Sequence, residues 1–235
     1  MSITLVVCDI AGTTVDEHGS VYRALADAVG EVAGTRPNES QVQDWMGADK
    51  TEALAGLTRV VGGEPTTELV ERGVDHFKSL LSRYYAARPP VALPGVEETL
   101  TDLRGRGMKI ALTTGFSRDV ACPLLASLGW VVAPLEETDD AGPASLLLDA
   151  VVCSDEVAAG RPAPYMIHRA MERTGVQDVR QVLAAGDTVN DLLAATRAGV
   201  TAVGVLTGKL GRKDLAAHPH DHIVSGVQDI PELLS

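Results

Sequence analysis

The sequence predicts an α/β protein whose doubly wound parallel sheet carries an all-helical segment inserted after the first strand. Short apolar runs rich in β-branched residues alternate with segments of helical periodicity, which is typical of repeated βα units. Residues 16–90 break this alternation, because they show helical periodicity and no convincing strand. We therefore predict a core domain formed by residues 1–15 and 91–235, and a helical cap domain formed by residues 16–90.

Five apolar runs are each predicted to form a strand that is buried on both faces. They are Ile3–Cys8, Lys109–Thr113, Ala150–Cys153, Val182–Ala185 and Thr201–Leu206. Helices are expected where the later segments have helical periodicity and end at a glycine. These segments are Val120–Leu128, Tyr165–Thr174 and Asp191–Ala198. The stretch Glu136–Pro143 is predicted to be a surface loop.

Two apolar stripes at helical spacing predict the helices of the inserted segment. One stripe comprises Val21, Leu25, Ala28, Val29 and Val32, and the other comprises Leu69, Val70, Val74, Phe77, Leu81 and Tyr84. Prolines near position 37 and at positions 89 and 90 mark the joints of the segment.

The composition of the chain argues against several classes of partner. Its 235 residues include 20 basic and 32 acidic ones, so the net charge is −12, and a chain without basic runs is a poor partner for nucleic acid or acidic membranes. Two Trp, four Tyr and two Phe residues are too few for the stacking surfaces that hold bases or sugars. Small polar or phosphorylated ligands are therefore the expected class of substrate.

Cysteine usage and hydropathy favour a cytoplasmic protein. Cys8, Cys122 and Cys153 are an odd number without CxxC spacing, so we expect neither a disulfide framework nor a zinc site. No apolar run approaches the roughly 18 residues that span a bilayer, and the N-terminal run ends at Asp9 without a basic flank. The sequence therefore predicts no export and no membrane partner.

Polar residues follow the predicted strands at positions that share one edge of the sheet, where parallel sheets bind ligands. The residues at these positions are Asp9, Thr114, Asp155 and Asp187. Asp9 is followed by Gly12 and Thr13, a pattern that suits a nucleophile or metal ligand beside a turn whose amides face an anion. The alternative is an aspartate that only caps a turn.

Three further segments could complete a site at this edge. Asp187 and Asp191 bring a second pair of acids, and Mg²⁺ is usually held by such oxygen ligands, although Asp191 could instead cap the next helix. The hydroxyl of Thr114 and the amide of Gly115 could bind a phosphoryl oxygen or form a plain turn. Arg161 is either a bidentate anion clamp or a solvated surface arginine.

In order and spacing, these four segments resemble the motifs of the haloacid dehalogenase-like hydrolase superfamily over essentially the whole chain. The resemblance implies a cap after the first strand, an aspartyl-phosphate intermediate and bound Mg²⁺. It makes Asp9 the nucleophile, with Mg²⁺ held by Asp9, the carbonyl of Ala11 and Asp187. The residues implied to bind or support the phosphoryl group are Gly12, Thr13, Thr114, Gly115, Arg161 and Asp191.

Two departures from the superfamily pattern resemble the phosphonoacetaldehyde hydrolase family. Most phosphatases and mutases carry a second aspartate two residues after the nucleophile, which protonates the leaving group, but here that residue is Ala11, whose methyl group transfers no proton. The usual lysine of the third motif is replaced by Arg161. The patterns D-x-A-G-T around Asp9 and A-G-R-P-x-P around Arg161 match that family.

A further motif of that family, M-G-x-x-K, is matched by Met46, Gly47 and Lys50. The resemblance implies that Lys50 forms a Schiff base with the substrate carbonyl, and that Met46 and Gly47 belong to the substrate loop of the cap. This chemistry accounts for Ala11, because a carbon leaving group bound as an iminium departs as a neutral enamine and needs no acid. Alternatively, Lys50 binds substrate by its charge alone.

The match to that family departs at two positions. The family has a histidine three residues after the lysine, where this chain has Ala53, and an aromatic hydroxyl after T-T-G, where it has Phe116. Glu52 or water would have to replace these groups. We expect a phosphonatase-like hydrolase that cleaves the C–P bond of a 2-oxoalkylphosphonate, either phosphonoacetaldehyde or a close relative.

Other functions stay open from the sequence. A Mg²⁺-dependent phosphomonoester phosphatase of the phosphoglycolate phosphatase or β-phosphoglucomutase type would use Lys50 only as a clamp. A dehalogenase would not need the acid pair Asp187 and Asp191, and a binding protein on an inactive scaffold would not need intact motif residues. The resemblance also suggests a homodimer through the cap. Met46 and the helix with Val21, Leu25 and Val29 are the predicted contributors.

Two polar clusters near the C-terminus are predicted to be solvated surface. His218, His220 and His222 alternate like metal ligands, but their stretch H-P-H-D-H is typical of a polar loop. Lys209 and Arg212, which follow the fifth predicted strand, are taken as solvated charges.

Overall fold

The computed structural model describes residues 2–132 and 145–234. It divides into two compact units, one formed by Met1–Asp16 with Val91–Ser235 and one formed by Glu17–Pro90. We call the first the core unit and the second the helical unit. The loop predicted at Glu136–Pro143 lies outside the described residues.

The described residues form strands and helices that alternate along the core unit. The strands are β1 (Leu5–Asp9), β2 (Val15–Asp16), β3 (Val91–Ala92), β4 (Lys109–Thr114), β5 (Trp130–Val132), β6 (Leu146–Leu148), β7 (Ala150–Cys153), β8 (Val182–Gly186), β9 (Thr201–Val205) and β10 (His222–Val224). The helices are α1 (Ser20–Ala33), α2 (Glu39–Gln43), α3 (Lys50–Val60), α4 (Thr67–Ala87), α5 (Val96–Gly105), α6 (Arg118–Ser127), α7 (Tyr165–Thr174), α8 (Val189–Ala198), α9 (Arg212–Ala216) and α10 (Ile230–Leu233). None of these helices has the length and apolar character needed to cross a membrane.

The main sheet has six parallel strands in the order β10-β9-β8-β1-β4-β7. The chain builds outward from β1 through β4 and β7, and then returns to the other side of β1 at β8. Such a reversal opens a crevice at the carboxyl ends of the adjacent strands, and ligands bind there. The predicted doubly wound α/β fold is thus confirmed, and its switch point lies at the end of β1.

The five predicted strands are present, with ends that differ from the prediction by at most two residues. The interpretation of His222 as part of a polar loop is wrong, because His222 begins β10, which pairs with β9. A three-residue edge strand with a polar first residue carries too little pattern to be recognised. Asp16 also departs from the expected helical segment, because it pairs in β2 with Val91 of β3.

The central strands are buried on both faces, which explains why their sequences are continuous apolar runs. Leu5 and Val7 of β1 lie in one buried cluster with Met166 of α7 and Leu192 of α8. Helix α7 packs against β7, β4 and β1, while α8 packs against β8 and β9. This packing holds the carboxyl ends of β1, β4 and β8 in a fixed frame.

In the helical unit, α1 packs against α4 and α3. The predicted stripe of α1 supplies this contact, since Val21, Leu25 and Val29 are at most 1% exposed. These three side chains are therefore covered within their own chain, and the contribution of this helix to a homodimer stays a prediction. Met46 is also buried, which leaves it little surface to offer a second copy.

The segment that leads to Lys50 is held by close packing and by a helix cap. A Cβ atom on Gly56 would lie 1.9 Å from Cζ2 of Trp45, so the indole lies directly against the backbone of α3. The side chain of Asp49 accepts hydrogen bonds from the amides of Thr51 (2.8 Å) and Glu52 (3.1 Å) and caps the same helix. Lys50, the first residue of α3, is thereby fixed at a helix N-terminus.

Replacing Gly56 with alanine should destabilise the helical unit, because the added methyl group overlaps the indole and such overpacking costs about 1–3 kcal/mol. Gly105 at the end of α5 is a matched control, since a Cβ there meets nothing within 4 Å. Gly105→Ala should leave the free energy of unfolding unchanged or raise it by up to about 1 kcal/mol. Urea unfolding followed by circular dichroism measures both, and a wild-type midpoint for Gly56→Ala would contradict the packing.

Candidate active site

Asp9 is the last residue of β1 and is followed by a turn that folds back on itself. The amides of Thr14 and Val15 donate to the carbonyl of Ile10 (3.0 and 2.8 Å), and the Thr14 hydroxyl donates to the carbonyl of Asp9 (2.9 Å). Gly12 has φ +87°, a left-handed conformation that favours glycine. The turn holds the Asp9 side chain at the sheet edge, where it is buried.

A buried guanidinium joins two carboxylates at this edge. Nη2 of Arg161 donates to Oδ1 of Asp9 (2.6 Å) and to Oγ1 of Thr113 (3.2 Å), and Nη1 lies 2.6 Å from Oδ1 of Asp191. Arg161 is 3% exposed, so its interpretation as a solvated surface arginine is wrong. Buried charges persist when they are paired, and each of the three groups supplies a partner here.

Asp191 caps a helix and pairs with Arg161 at the same time. Its Oδ2 accepts hydrogen bonds from the amide (3.0 Å) and the hydroxyl of Thr188. The amide of Asp191 donates in turn to Oγ1 of Thr188 (3.3 Å), which completes a capping box at the start of α8. Its Oδ1 faces Arg161. Asp191 therefore caps the helix, as one of its two alternatives predicts, and the cap fixes the carboxylate that pairs with the guanidinium.

The carboxylate of Asp187, the residue after β8, is held from three sides. Thr13 donates its hydroxyl hydrogen to Oδ1 (2.9 Å). A Cβ on Gly12 would lie 2.6 Å from Oδ2 of Asp187, and a Cβ on Gly208 would lie 1.9 Å from the same atom. Asp187 thus lies against two backbone positions that have to lack a side chain.

Asp9, Asp187 and Asp191 form a carboxylate cluster in which one oxygen of each lies within 4.8 Å of the others, and among the described residues this is the group that could hold a metal ion. Arg161 and Thr188 already engage both oxygens of Asp191. Asp9 and Asp187 remain as the carboxylates that could ligate a cation. Mg²⁺ is usually bound by one or two carboxylates, with water and substrate oxygens completing the shell, so this donor set fits that ion.

Burial governs the titration of these two carboxyl groups. Burial raises the pKa of Asp9 to about 6, although Arg161 opposes the rise, and the charge of Asp191 adds to it. Burial also raises the pKa of Asp187 well above its ordinary value, and the charges of Asp9 and Asp191 add to that rise. Carboxylates this close resist simultaneous ionisation, so a cation between them would favour the ionised forms.

The threonines that end β4 have different contacts, because successive strand residues point to opposite sides. Thr113 accepts the hydrogen bond from Arg161. Oγ1 of Thr114 instead accepts a hydrogen bond from the amide of Phe116 (3.1 Å) and so shapes the turn that contains Gly115.

Asp155 lies after β7 but takes no part in the carboxylate cluster. Both of its carboxylate oxygens accept hydrogen bonds from the amide of Arg118 (3.1 and 3.2 Å), at the start of α6. The expectation that Asp155 joins the site residues is therefore wrong, because its side chain caps a helix instead.

The C-terminal histidines do not form a metal site within residues 2–132 and 145–234. A ring nitrogen of His220 hydrogen-bonds the carbonyl of His218 (2.7 Å). Arg212 is exposed, as expected, and donates to the carbonyl of Ile223 (3.0 Å) in β10.

Lys50 belongs to the helical unit, and its side chain is largely withdrawn from solvent. It is 8% exposed, and Nζ donates to the carbonyl of Ala48 (3.1 Å). Gly47 has φ +76°, the left-handed conformation that makes a glycine favourable there. Ala53, where the resembled family has a histidine, is fully buried. The Glu52 side chain is exposed overall, but partial desolvation of its carboxyl group, together with the charge of Asp49, raises its pKa.

Known proteins with related sequences identify the family. A family model described as haloacid dehalogenase-like hydrolase matches residues 3–199. The chain belongs to the haloacid dehalogenase-like hydrolases. Phosphonoacetaldehyde hydrolase of Bacillus cereus (strain AH187) is 30% identical over 237 residues, which cover 95% of this chain and 84% of that protein. The family predicted from the motifs is confirmed.

Two solved structures share the fold of this haloacid dehalogenase-like hydrolase. A phosphonoacetaldehyde hydrolase-like protein from Oleispira antarctica has a TM-score of 0.80 at 20% identity, over 100% of this chain and 92% of that one. A predicted phosphoglycolate phosphatase from Haemophilus somnus 129pt has a TM-score of 0.75 at 21% identity, over 100% and 99% of the two chains. At these identities the similarity shows the fold.

Three residues that the sequence analysis missed contact the site of this hydrolase. They are Thr113, Thr207 and Gly208. Oγ1 of Thr207 donates to the carbonyl of Gly12 (2.6 Å), and Gly208 lies against Asp187. A signal was available, because Thr207-Gly208 follows a strand at the same sheet edge as Thr114-Gly115.

Replacing Asp187 with asparagine should raise the melting temperature of the metal-free protein by an amount that grows with pH. A carboxyl group whose folded pKa is raised stabilises the fold below its unfolded pKa, and this contribution is lost as the pH rises through the folded pKa. For Asp9 the same sign gives a loss of stability from about pH 4 to about pH 6. Thermal unfolding over a pH series measures the difference.

Saturating Mg²⁺ should stabilise the wild type by about 2.7 kcal/mol at 100 times its Kd, and should not stabilise Asp187→Asn. A difference in melting temperature that shrinks with pH, or equal Mg²⁺ stabilisation of both proteins, would contradict the assignment.

Proposed function

We propose that this hydrolase is a Mg²⁺-dependent phosphonatase, which cleaves the C–P bond of phosphonoacetaldehyde or a closely related 2-oxoalkylphosphonate. One observation carries the proposal. The predicted nucleophile Asp9 is paired with Arg161, while the nearby position that would supply a proton to an alkoxide is Ala11. The 30% identity to a phosphonoacetaldehyde hydrolase supports the same substrate class.

In the first step, the neutral amine of Lys50 condenses with the 2-oxo group of the substrate and releases water. The resulting iminium carries its positive charge beta to phosphorus. Lys50 begins α3 and is 8% exposed, so its amine is largely withdrawn from bulk water, which suits a covalent step with the substrate. If Lys50 bound the substrate by its charge alone, the absence of an acid at position 11 would have no explanation.

In the second step, a carboxylate oxygen of Asp9 attacks phosphorus as the C–P bond breaks. The electron pair of that bond forms the C=C bond of an enamine, and the iminium nitrogen accepts the displaced pair, so no acid is needed at position 11. Arg161 offsets charge on the transferring group and orients Asp9 through Oδ1. Bound Mg²⁺, held by Asp9 and Asp187 with the carbonyl of Ala11, would supply charge neutralisation for the phosphoryl oxygens.

Two hydrolyses complete the cycle. Water attacks the aspartyl phosphate, which releases phosphate and restores Asp9. The enamine takes up a proton at carbon, and water then hydrolyses the iminium to an aldehyde or ketone and free Lys50. One water molecule is released and two are consumed, so the net reaction is hydrolysis of the C–P bond by one water molecule.

We also propose that the helical unit, Glu17–Pro90, acts as the cap that carries Lys50, and that the core unit carries the phosphoryl chemistry. Phosphoryl binding would fall to the turn with Gly12 and Thr13 and to the turn with Thr114 and Gly115. A homodimer through the cap remains a prediction. Sedimentation at micromolar concentration tests it, and a monomer there would contradict it.

Lys50→Arg should reduce turnover of phosphonoacetaldehyde by at least about 10³-fold, because a guanidinium stays protonated and forms no imine. Lys213, an exposed lysine of α9, offers a matched control, and Lys213→Arg should retain wild-type kcat. Phosphate release measures both. If Lys50→Arg kept most of its kcat, the covalent role of Lys50 would be excluded.

Borohydride added during turnover should trap the iminium as a secondary amine on Lys50. Mass spectrometry of peptides should then locate the added mass at Lys50 and at no other lysine. Failure to trap any adduct while phosphate is released would contradict the imine step.

Ala11→Asp should not raise C–P cleavage and should raise phosphomonoesterase activity, because a carboxyl group at that position could protonate an alkoxide, an effect typically worth about 10²-fold to 10⁴-fold. A panel of sugar phosphates, phosphoglycolate and oxoalkylphosphonates measures the change. Faster turnover of a phosphomonoester than of every phosphonate by the wild type would favour the phosphatase alternative.

A further inference from the structure

The turn that follows β9 contacts both parts of the proposed cation site. Oγ1 of Thr207 donates to the carbonyl of Gly12 (2.6 Å), from a position 195 residues further along the chain. The next residue, Gly208, approaches Asp187 so closely that a Cβ there would lie 1.9 Å from Oδ2 and 2.6 Å from Cγ. One short turn therefore contacts both the turn that follows Asp9 (residues 10–15, here called the nucleophile turn) and the carboxylate of Asp187.

The hydrogen bond from Thr207 comes from outside the turn that follows Asp9, as does the one from the amide of Leu93 to the carbonyl of Thr14 (3.0 Å). The amide of Gly12 donates to the carbonyl of Val15 (2.8 Å), and the amides of Thr14 and Val15 donate to Ile10, so these bonds lie within the turn itself. The carbonyl of Gly12 receives its bond from outside the turn. Thr207 thereby fixes the peptide group between Gly12 and Thr13, one residue beyond the carbonyl of Ala11.

Gly208 and Gly12 confine the same oxygen of Asp187. Thr13 holds Oδ1 by a hydrogen bond, while the two glycines lie against Oδ2. The side chain of Asp187 cannot move toward either glycine, and it is 5% exposed. Its orientation is therefore set before any ligand binds, which is what a cation site between mutually repelling carboxylates requires.

We propose that Thr207 and Gly208 are positioning residues for a divalent cation held by Asp9 and Asp187. Thr207 orients the turn with Ala11 and Gly12, and Gly208 orients the Asp187 carboxylate. The inference rests on the Mg²⁺ dependence within the proposed function and is independent of the C–P substrate. Loss of such outer groups typically lowers metal affinity about 10-fold to 100-fold.

Mn²⁺ binding to the substrate-free protein tests the role of Thr207. Mn²⁺ takes the same oxygen ligands as Mg²⁺, and its free fraction is measured by electron paramagnetic resonance. Thr207→Val removes the hydroxyl and keeps the shape, so it should raise the Kd for Mn²⁺ about 10-fold. Thr207→Ser keeps the hydroxyl and should restore the Kd to within about twofold of the wild type.

Gly208→Ala should raise the Kd for Mn²⁺ about 100-fold, because the added methyl group displaces Asp187. Gly211→Ala is its control in the same segment, since a Cβ there meets Oδ2 of Asp214 at an ordinary 3.5 Å. Thermal unfolding without metal checks that each variant folds. If Gly208→Ala does not fold, the comparison of Thr207→Val with Thr207→Ser decides.

Asp187→Asn separates this inference from the proposed function. If Asp187→Asn abolishes Mn²⁺ binding while Thr207→Val binds within about twofold of the wild type, the positioning role is overturned and the metal site stands. If Asp187→Asn binds Mn²⁺ like the wild type, both fail. Loss of binding in Asp187→Asn with weakened binding in Thr207→Val supports both, whichever phosphonate is the substrate.

Discussion

The pairing of one buried guanidinium with two carboxylates is the constraint on which the site depends. Arg161 joins Asp9 at the end of β1 to Asp191 at the start of α8, and all three side chains are buried. Removing one partner from such a network leaves a buried charge without compensation, which typically costs about 3–5 kcal/mol. The apolar core beneath the sheet edge can be continuous because the charges are collected and paired at this one place.

The positions of Asp187 and Asp191 also depend on neighbouring glycines, which leave room for the two carboxylates because they have no side chain. Gly12 and Gly208 flank Asp187, and a Cβ on Gly186 would lie 2.2 Å from the Cβ of Asp191. Larger residues at these three positions would push both acids away from Asp9. The glycines therefore act together with Arg161, since attraction alone does not specify the spacing that a small divalent cation needs.

The sheet and the principal site residues could be predicted because local patterns determine them. Buried parallel strands have continuous apolar sequences, and the residue that follows each of them lies at the edge of the sheet where ligands bind. Asp9 and Asp187 could therefore be predicted from the sequence. Contacts that depend on strand register could not be predicted in the same way. Nothing local shows which of Thr113 and Thr114 meets Arg161. The strand before Thr207 places this residue at the ligand edge, but its partner there, Gly12, cannot be predicted from the sequence. The stripe of α1 predicts a helix with a buried face, but an apolar stripe does not say which surface covers it.

The site is assembled from distant parts of the chain, and this has a consequence for how the protein folds. Arg161 reaches Asp9 across 152 residues and Thr207 reaches Gly12 across 195. Contacts of such long sequence separation form late, because loop-closure entropy opposes them until neighbouring strands are in place. During synthesis β1 emerges first, yet its partners β4 and β8 follow only after the whole helical unit has been made. Strand β1 is therefore apolar and unpaired in the nascent chain until β4 has been synthesised. The local contacts among α1 to α4 can form before then.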